Sequence, residues 1–588
     1  MSDAANRYLV TTHDQGTWPS GAQLVLIDSG LQNTAVSEHL VRRTEVCPID
    51  ERLNRHHQLS NLCSELLEDL TTYLNAMHNE RSSVQTWKIR LGLWLHHFVD
   101  TVYERWLAVS DVEVQFPSLK TELFPTDPQT ICPEQSFDFY PISQSAQWNH
   151  WITGEIIRFK KQVEVFSSTR AHQWHGGAPG NTNDRSFKSR LRSSLRSSLL
   201  QIGLMSRHIL ATTYLPRKTE LSLALRMKSL PTIWSEPTVP RAQFNTEMRN
   251  SVDFPKTVEA SFNAFIRSVV CSQIPRSMVE DYSALSRKAK SGRFARTPRT
   301  IFTANLHVTS DLFCIWMSHK QLQGSQILLA QHGGQYGQVA PPTRTEEHEI
   351  ATSNKYFSWG WRTNDRHVIP APAMPLVDIT PSSASISSKN SLLLITDCTS
   401  RYARRPWPIN SDNARYLNNL FQFVDNLSSE NQSALRVRLH HDHAKYDFSH
   451  STRWLDRFPR INLDSGHGPL SALRDQARLI VCTSLGTSEL EQLAANQPTL
   501  FLLNHNIHPV RDSEQSVFSE LEHSQVLFRD GSALAKHVQT IWNDVEAWWS
   551  SSLVQHSIDL YKDHFVQQSA DPISFFQREI LATVKTPT

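Results

Sequence analysis

Short apolar runs alternate with helical segments through the second half of the chain, and this alternation restricts the fold more than any other feature. Arg299–Thr303 (RTIFT), Gln326–Ala330 (QILLA) and Lys355–Trp361 (KYFSWGW) read as strands, with a helix over Asp311–Lys320. After Pro370–Asn390, rich in Pro, Ser and Ala, the pattern restarts. Ser391–Thr396, Arg436–His440, Leu479–Thr483 and Thr499–Leu503 read as strands, and Asn418–Leu427, Leu470–Ala477 and Ser488–Ala495 as helices. Strands that alternate with helices predict parallel sheets, because a parallel pair needs a crossover long enough to hold a helix. The interruption between the two series predicts an interdomain linker.

The first half shows the same vocabulary with longer helices. Arg7–Thr12 (RYLVTT) and Ala22–Ile27 (AQLVLI) read as buried strands around a His13–Gly21 loop. Leu59, Leu62, Leu66, Leu70, Tyr73 and Met77 recur at helical spacing, and Trp87–Trp106 continues as an aromatic-rich helix. Leu534, Val538, Ile541, Trp542 and Val545 form one apolar helical face. A chain of 588 residues exceeds a single core. The expected division is an α/β domain with helical insertions over 1–375, a linker over 376–390, a nucleotide-binding domain over 391–545, and helices over 546–588 that pack back on both.

Composition narrows the function. Hydrophobic residues make up 39% and charged residues 20%, enough for sizeable cores. The formal net charge of +2 argues against a nucleic-acid partner for the molecule as a whole. Seven scattered cysteines without a CxxC pair point to free thiols in a reducing compartment. Met1–Arg7 lacks a signal peptide's apolar core, and no run approaches the roughly 20 apolar residues of a membrane span. A cytoplasmic protein is expected. Two basic stretches, Arg170–Ser198 (Arg185, Lys188, Arg190, Arg192 and Arg196) and Arg287–Arg299, suit either an inner-leaflet membrane surface or an ordinary solvated face.

Two loops carry the chemistry. In LLAQHGGQYG, a buried strand runs into His332, Gly333 and Gly334, followed by Tyr336. Glycines allow a ligand close to the backbone, and a histidine there serves a phosphate or a proton transfer. Dinucleotide and Walker fingerprints are absent. In TSLGTSELE, Thr483, Ser484, Thr487 and Ser488 supply hydroxyls, Gly486 turns the chain, and the next helix offers its N–H groups to a phosphate. Glu489 or Glu491 suits ribose hydroxyls, while Ser488 and Glu491 equally read as a capping box. His440, His441, Asp442 and His443 match no metal spacing, and alternation along an extended segment would splay them. No metal is therefore expected, and His440 reads as part of a phosphate-binding loop with Arg401, Arg404 and Arg405 as cationic partners. Glu346, Glu347 and Glu349 are candidates for a proton acceptor, or alternatively a solvated acidic helix start.

Taken together, RYLVTT with Thr17 and Trp18, WKIRLGLWLHHFVDTVYERW, GSQILLAQHGGQYG, EEHE with YFSWGW, SLGTSELEQLAANQPTLFL and IWNDVEAWW resemble a family of transferases from bacterial surface-polysaccharide (O-antigen-type) gene clusters. The QHG and T-S-x-x-E-x-L-A-x-x-x-P elements are also similar to capsule-linked Kdo transferases of the GT-B type. The resemblance implies a GT-B-like α/β protein with two Rossmann-type domains whose parallel sheets face a cleft. It implies a metal-independent glycosyltransferase with a nucleotide sugar as donor, CMP-linked nonulosonic or Kdo-type sugars first, and a glycan or lipid-linked glycan as acceptor. His332 would face the reaction centre, and Ser484, Thr487, Ser488 and Glu489 would hold the nucleotide, while no catalytic Asp or Glu motif of a characterised enzyme has a match here. A CDP-polyol phosphotransferase-like enzyme and a non-catalytic glycan-assembly protein of the same shape are the alternatives.

Overall fold

The computed structural model describes residues 7–28, 40–42, 45, 47–170, 172–174, 204–230, 232–236, 239–251, 261–294, 296–380, 386–404, 410–446 and 448–583. The cations of Arg185–Arg196, and Arg405, lie outside them.

Three all-parallel sheets organise the chain. The first orders β3 (Leu40–Val41), β2 (Gln23–Leu26), β1 (Arg7–Val10), β4 (Lys120–Leu123) and β5 (Glu164–Ser167) side by side. The second runs β10 (Val368–Pro370), β9 (Lys355–Ser358), β8 (Gln326–Ala330), β7 (Thr300–Thr303) and β6 (His208–Leu210). The third runs β13 (Asn462–Asp464), β12 (Leu435–Arg438), β11 (Ser391–Ile395), β14 (Ala477–Cys482), β15 (Thr499–Leu502) and β16 (Leu527–Phe528). Its order is that of a doubly wound nucleotide-binding sheet, with the strand order reversing between β11 and β14.

The central strands are continuous apolar runs because both of their faces are covered. Leu392 and Leu394 of β11, with Leu479 and Val481 of β14, enter a core with Leu420, Phe423 and Val538. The alternate residues Leu393, Ile395, Ile480 and Cys482 enter the larger core on the opposite face. The strands that sequence reading passes over (β3–β6, β10, β13 and β16) have two to four residues each, too few to show a period.

The first half carries two of these sheets. Trp87–Trp106 is not one regular helix. A π-helical turn, Lys88–Gly92, separates Val84–Trp87 from the Leu93–Gln115 helix. A Cβ on Gly92 would lie 3.3 Å from the His348 ring, so the turn lets the Arg344–Thr352 helix approach closely. Arg344 then fastens three helices. It donates to both Asp100 oxygens, at 2.8 and 2.9 Å, and to Ser60 Oγ of the Ile49–His78 helix at 2.6 Å. Every cysteine is a free thiol, and no helix among the described residues is long and apolar enough to cross a membrane.

Several histidines are part of the packing. His150 joins Thr11 Oγ1 (2.6 Å) to the Phe124 N–H (3.0 Å), which its Nε2 accepts as a neutral ring. Burial pushes His150 and His450 down to about 4 and His348 down to about 3. The unfolded chain binds these protons near pH 6.5, so between about 6.5 and 4 it holds more protons than the native state. Stability is then full above pH 6.5 and falls as the pH drops through that window, by on the order of 1–2 kcal/mol per histidine between pH 7 and 5. The thermal midpoint is expected to fall steeply below pH 6.5 in a calorimetric pH series. A flat profile from pH 7 to 5 would contradict buried neutral rings.

Candidate functional site

Strand β8 ends at Ala330, and Gln331 sets the shape of the loop that follows. Its side-chain oxygen accepts from the Trp359 N–H (2.9 Å) and Trp361 Nε1 (2.8 Å), while its amide donates to the Gly333 carbonyl (2.8 Å). His332 is thereby held at the carboxyl edge of the second sheet. Its Nδ1 stands 3.1 Å from Glu349 Oε1, an ion-pair distance without hydrogen-bond alignment, and its Nε2 lies 3.3 Å from the Tyr336 hydroxyl. His307 Nε2 reaches the same Glu349 oxygen at 2.8 Å. Burial lifts the Glu349 carboxyl, but the charge of His332 and the His307 hydrogen bond more than offset it and hold the group below its usual range. Burial raises the Tyr336 phenol well above its ordinary value. The Tyr214 ring stands edge-on to His332 at 6.2 Å.

The two glycine-bearing loops meet backbone to backbone. A Cβ on Gly334 would sit 1.7 Å from the Gly486 carbonyl oxygen and 2.7 Å from the Thr487 nitrogen. Gln338 holds this approach by donating to the Gly334 carbonyl at 2.6 Å and accepting from Tyr561 at 2.6 Å. Next to the contact is a polar cavity of about 250 Å³. Its walls include Gln335 and Pro341 from the second sheet, Asp397, Ser400 and Arg404 after β11, and Ser484 and Gly486 after β14. It thus opens at the strand-order reversal of the third sheet, where ligands bind in open α/β sheets.

The helix entered from β14 is Thr487–Ala494, and its N-cap is Gly486 with no side-chain cap. Ser488 therefore lies inside the first turn, and the capping box expected of Ser488 and Glu491 does not form. Glu489 is fully buried, and neither of its oxygens has a hydrogen-bond partner. Burial, with Asp397 and Glu491 adding repulsion, pushes its carboxyl well above the usual range.

The remaining sequence candidates separate. Ser484 and Gly486 line the cavity, Thr487 and Ser488 are half-buried beside it, and Gly333 is half-buried next to His332. Thr483 is structural: its hydroxyl donates to the Ile395 carbonyl (2.9 Å) and meets Tyr416 (2.6 Å). Arg401 turns away to Ser449 (3.0 Å), and Arg404 takes the place at the cavity wall. Glu347 serves His56 (2.7 Å) and Arg344 (3.2 Å), on the side of its helix away from His332, while Glu346 serves Arg511 (2.7 Å). Glu349 alone of the three acids reaches His332, and all three are tied into packing instead of forming a solvated helix start. His440 lies off the cavity. There β12 ends at Arg438, and the following turn gathers His440, His441 and Asp442 with candidate ligand atoms within 4.8 Å of one another. The expected splaying of neighbours fails because the segment is a turn and not extended. Sequence reading misses His307 and Arg511, whose roles come from pairs 42 and 165 residues apart.

The two neighbouring glycines give opposite expectations. Gly334→Ala forces the loops apart and is expected to lower stability by at least about 3 kcal/mol, read from denaturant unfolding. Gly333→Ala meets nothing nearer than 3.5 Å and is expected to leave the unfolding midpoint unchanged. Equal effects at both positions would refute the loop–loop contact.

Solved structures similar to this chain include an S. aureus MnaA–UDP co-structure, at 10% identity and a TM-score of 0.37 over 65% of this chain and 98% of that one. MurG of Acinetobacter baumannii is similar at 11% identity and a TM-score of 0.30, over 64% of this chain and 90% of that one. A GtfA/B complex is similar at 9% identity and a TM-score of 0.29, over 53% and 61%. No curated protein matches the sequence. A sequence profile matches residues 7–580, nearly the whole chain, and by it this protein belongs to the LIC12162 family transferases.

Proposed function

We propose that the protein transfers a sugar from a nucleotide donor to a glycan acceptor, with the donor in the cavity between the second and third sheets. The observation that carries this reading is Glu489, a buried carboxyl group with two unsatisfied oxygens beside a helix start that has no side-chain cap. Buried polar atoms without partners are costly, so such a group implies a ligand that supplies them. A ribose diol can meet both oxygens of a protonated carboxyl, one hydroxyl donating to its C=O and the other accepting from its O–H. The free N–H groups of the Thr487–Ala494 helix favour a phosphate, and Arg404 at the wall adds a cation.

His332 is the proton acceptor in this reading. Glu349 at Nδ1 favours the tautomer with its proton there, which leaves Nε2 to take a proton from the acceptor hydroxyl. Glu349 is enclosed and acts through the histidine, a positioning carboxylate instead of the base itself. The Tyr336 phenol keeps its proton and occupies the Nε2 side until an acceptor hydroxyl replaces it. The sequence resemblance puts CMP-linked ulosonic sugars first among donors and a surface-glycan precursor first among acceptors.

Calorimetry of the full chain with CMP, CDP, UDP and GDP, followed by product mass analysis, tests this. One nucleotide is expected to bind, with Glu489→Gln weakening it about tenfold. His332→Ala is expected to lower turnover by about 10²–10⁴-fold and leave nucleotide affinity unchanged. A phosphodiester retained in the product would favour polyol-phosphate transfer, and nucleotide-independent glycan binding without turnover would favour an assembly protein. The proposal fails if no nucleotide binds or if His332→Ala turns over normally.

A further inference from the structure

Thirteen large apolar side chains are conspicuously exposed among the described residues, and five of them fall between residues 205 and 233: Met205, Leu221, Leu225, Leu230 and Ile233. The clustering is spatial as well as sequential. The Arg217–Arg226 helix turns Leu223 and Ala224 inward against Phe576 and Ile580, which leaves Leu221 and Leu225, one turn apart, on its outer face. The Leu230 N–H donates to Ser206 Oγ at 3.0 Å, which places Met205 beside Leu230. Leu225 is 61% exposed, and Met205 and Ile233 are each 53% exposed, too much for residues sealed in a groove of their own chain.

Cations outnumber acids in the stretch that carries this patch, although Asp378 also reaches its helix, accepting from Thr219 Oγ1 at 3.4 Å. Residues 204–233 hold five cations, Arg207, Arg217, Lys218, Arg226 and Lys228, against the single acid Glu220. Glu220 is half-buried and already accepts from Thr213 Oγ1 at 2.5 Å. Arg226 lies 4.0 Å from Asp571, and among the described residues no carboxylate pairs with the other four.

The geometry points to an anionic lipid surface as the occupant of this patch. Exposed apolar side chains on a helix, ringed by cations, match the requirement of an interface whose headgroups are negative and whose acyl boundary lies a few ångströms below.

Co-sedimentation of the full chain with phosphatidylcholine vesicles, with and without phosphatidylglycerol, tests the contact in the absence of any nucleotide. The chain is expected to pellet with the anionic vesicles alone. Leu221→Gln with Leu225→Gln is expected to cut the bound fraction at least about tenfold, with an unchanged thermal midpoint. Lys218→Gln with Lys228→Gln is expected to weaken anionic binding in a salt-dependent way. The proposal is overturned if the chain stays in the supernatant with both vesicle types, or if the leucine pair leaves binding unchanged. It is equally overturned if light scattering shows a dimer that the leucine pair dissociates, since a second copy then covers the patch.

Discussion

Arg511 donates to both oxygens of Glu346, each at 2.7 Å, across the junction of the second and third sheets. Burying such a pair costs solvation, and the cost is offset only where the remaining donors and acceptors are also met. Here they are: Arg511 Nε donates to the Val339 carbonyl at 3.0 Å, and Glu346 accepts the Gly337 N–H at 3.1 Å. The backbones pair alongside, with the Ala340 N–H on the Pro509 carbonyl and the Arg511 N–H on the Gln338 carbonyl, both at 2.9 Å. Removing Arg511 would strand a buried carboxylate and loosen the wall that Gln335–Pro341 contributes to the cavity. The meeting of Gly334 and Gly486, the alignment of His332 and the cavity itself all depend on this clasp.

What the sequence discloses follows from which contacts are local. QILLA, SLLLI and LIVC announce themselves because both faces of each strand are buried, so the apolar run is unbroken. The loops after β8 and β14 are legible for a related reason, since glycines directly after such a run mark a close backbone approach. Tertiary pairing carries no local signature. Nothing near Glu346 indicates that Arg511 will reach it, and nothing separates Glu347 from Glu349 except the helix rotation that packing imposes. The split of the first half into two sheets is hidden for the same reason: β4, β5 and β6 become strands by pairing with distant neighbours, not by their own pattern. The turn at His440–Asp442 was misread because alternation was carried past the residue where β12 ends.

Glu349 shows how one buried acid is kept ionised without a salt bridge to lysine or arginine. Two histidines approach the same oxygen, and both come from the second sheet's own loops, one after β7 and one after β8. The arrangement leaves Glu349 Oε2 without a hydrogen-bond partner. The Glu349 charge is therefore shared between two imidazole rings, with no lysine or arginine drawing it away.

Strand order explains why the cavity lies where it does. A crevice forms where neighbouring connections leave a sheet in opposite directions. The second sheet runs β6 to β10 in simple succession and has no such point, so it cannot make a crevice alone. The first sheet reverses between β1 and β4, but its own side chains close that gap: His150 links Thr11 to Phe124, and Trp174 lies against His150 with centroids 5.1 Å apart. Tyr402 from the third sheet's loop then seals the adjoining edge on Thr12 (3.1 Å) and His13 (2.7 Å). Among the described residues this leaves the reversal between β11 and β14 as the open one, and the second sheet gains a crevice only by leaning its His332 loop over it. The division of labour follows: the third sheet opens the cavity, the second leans the His332 loop over it, and the first is a buttress that holds the β11 loop against them both.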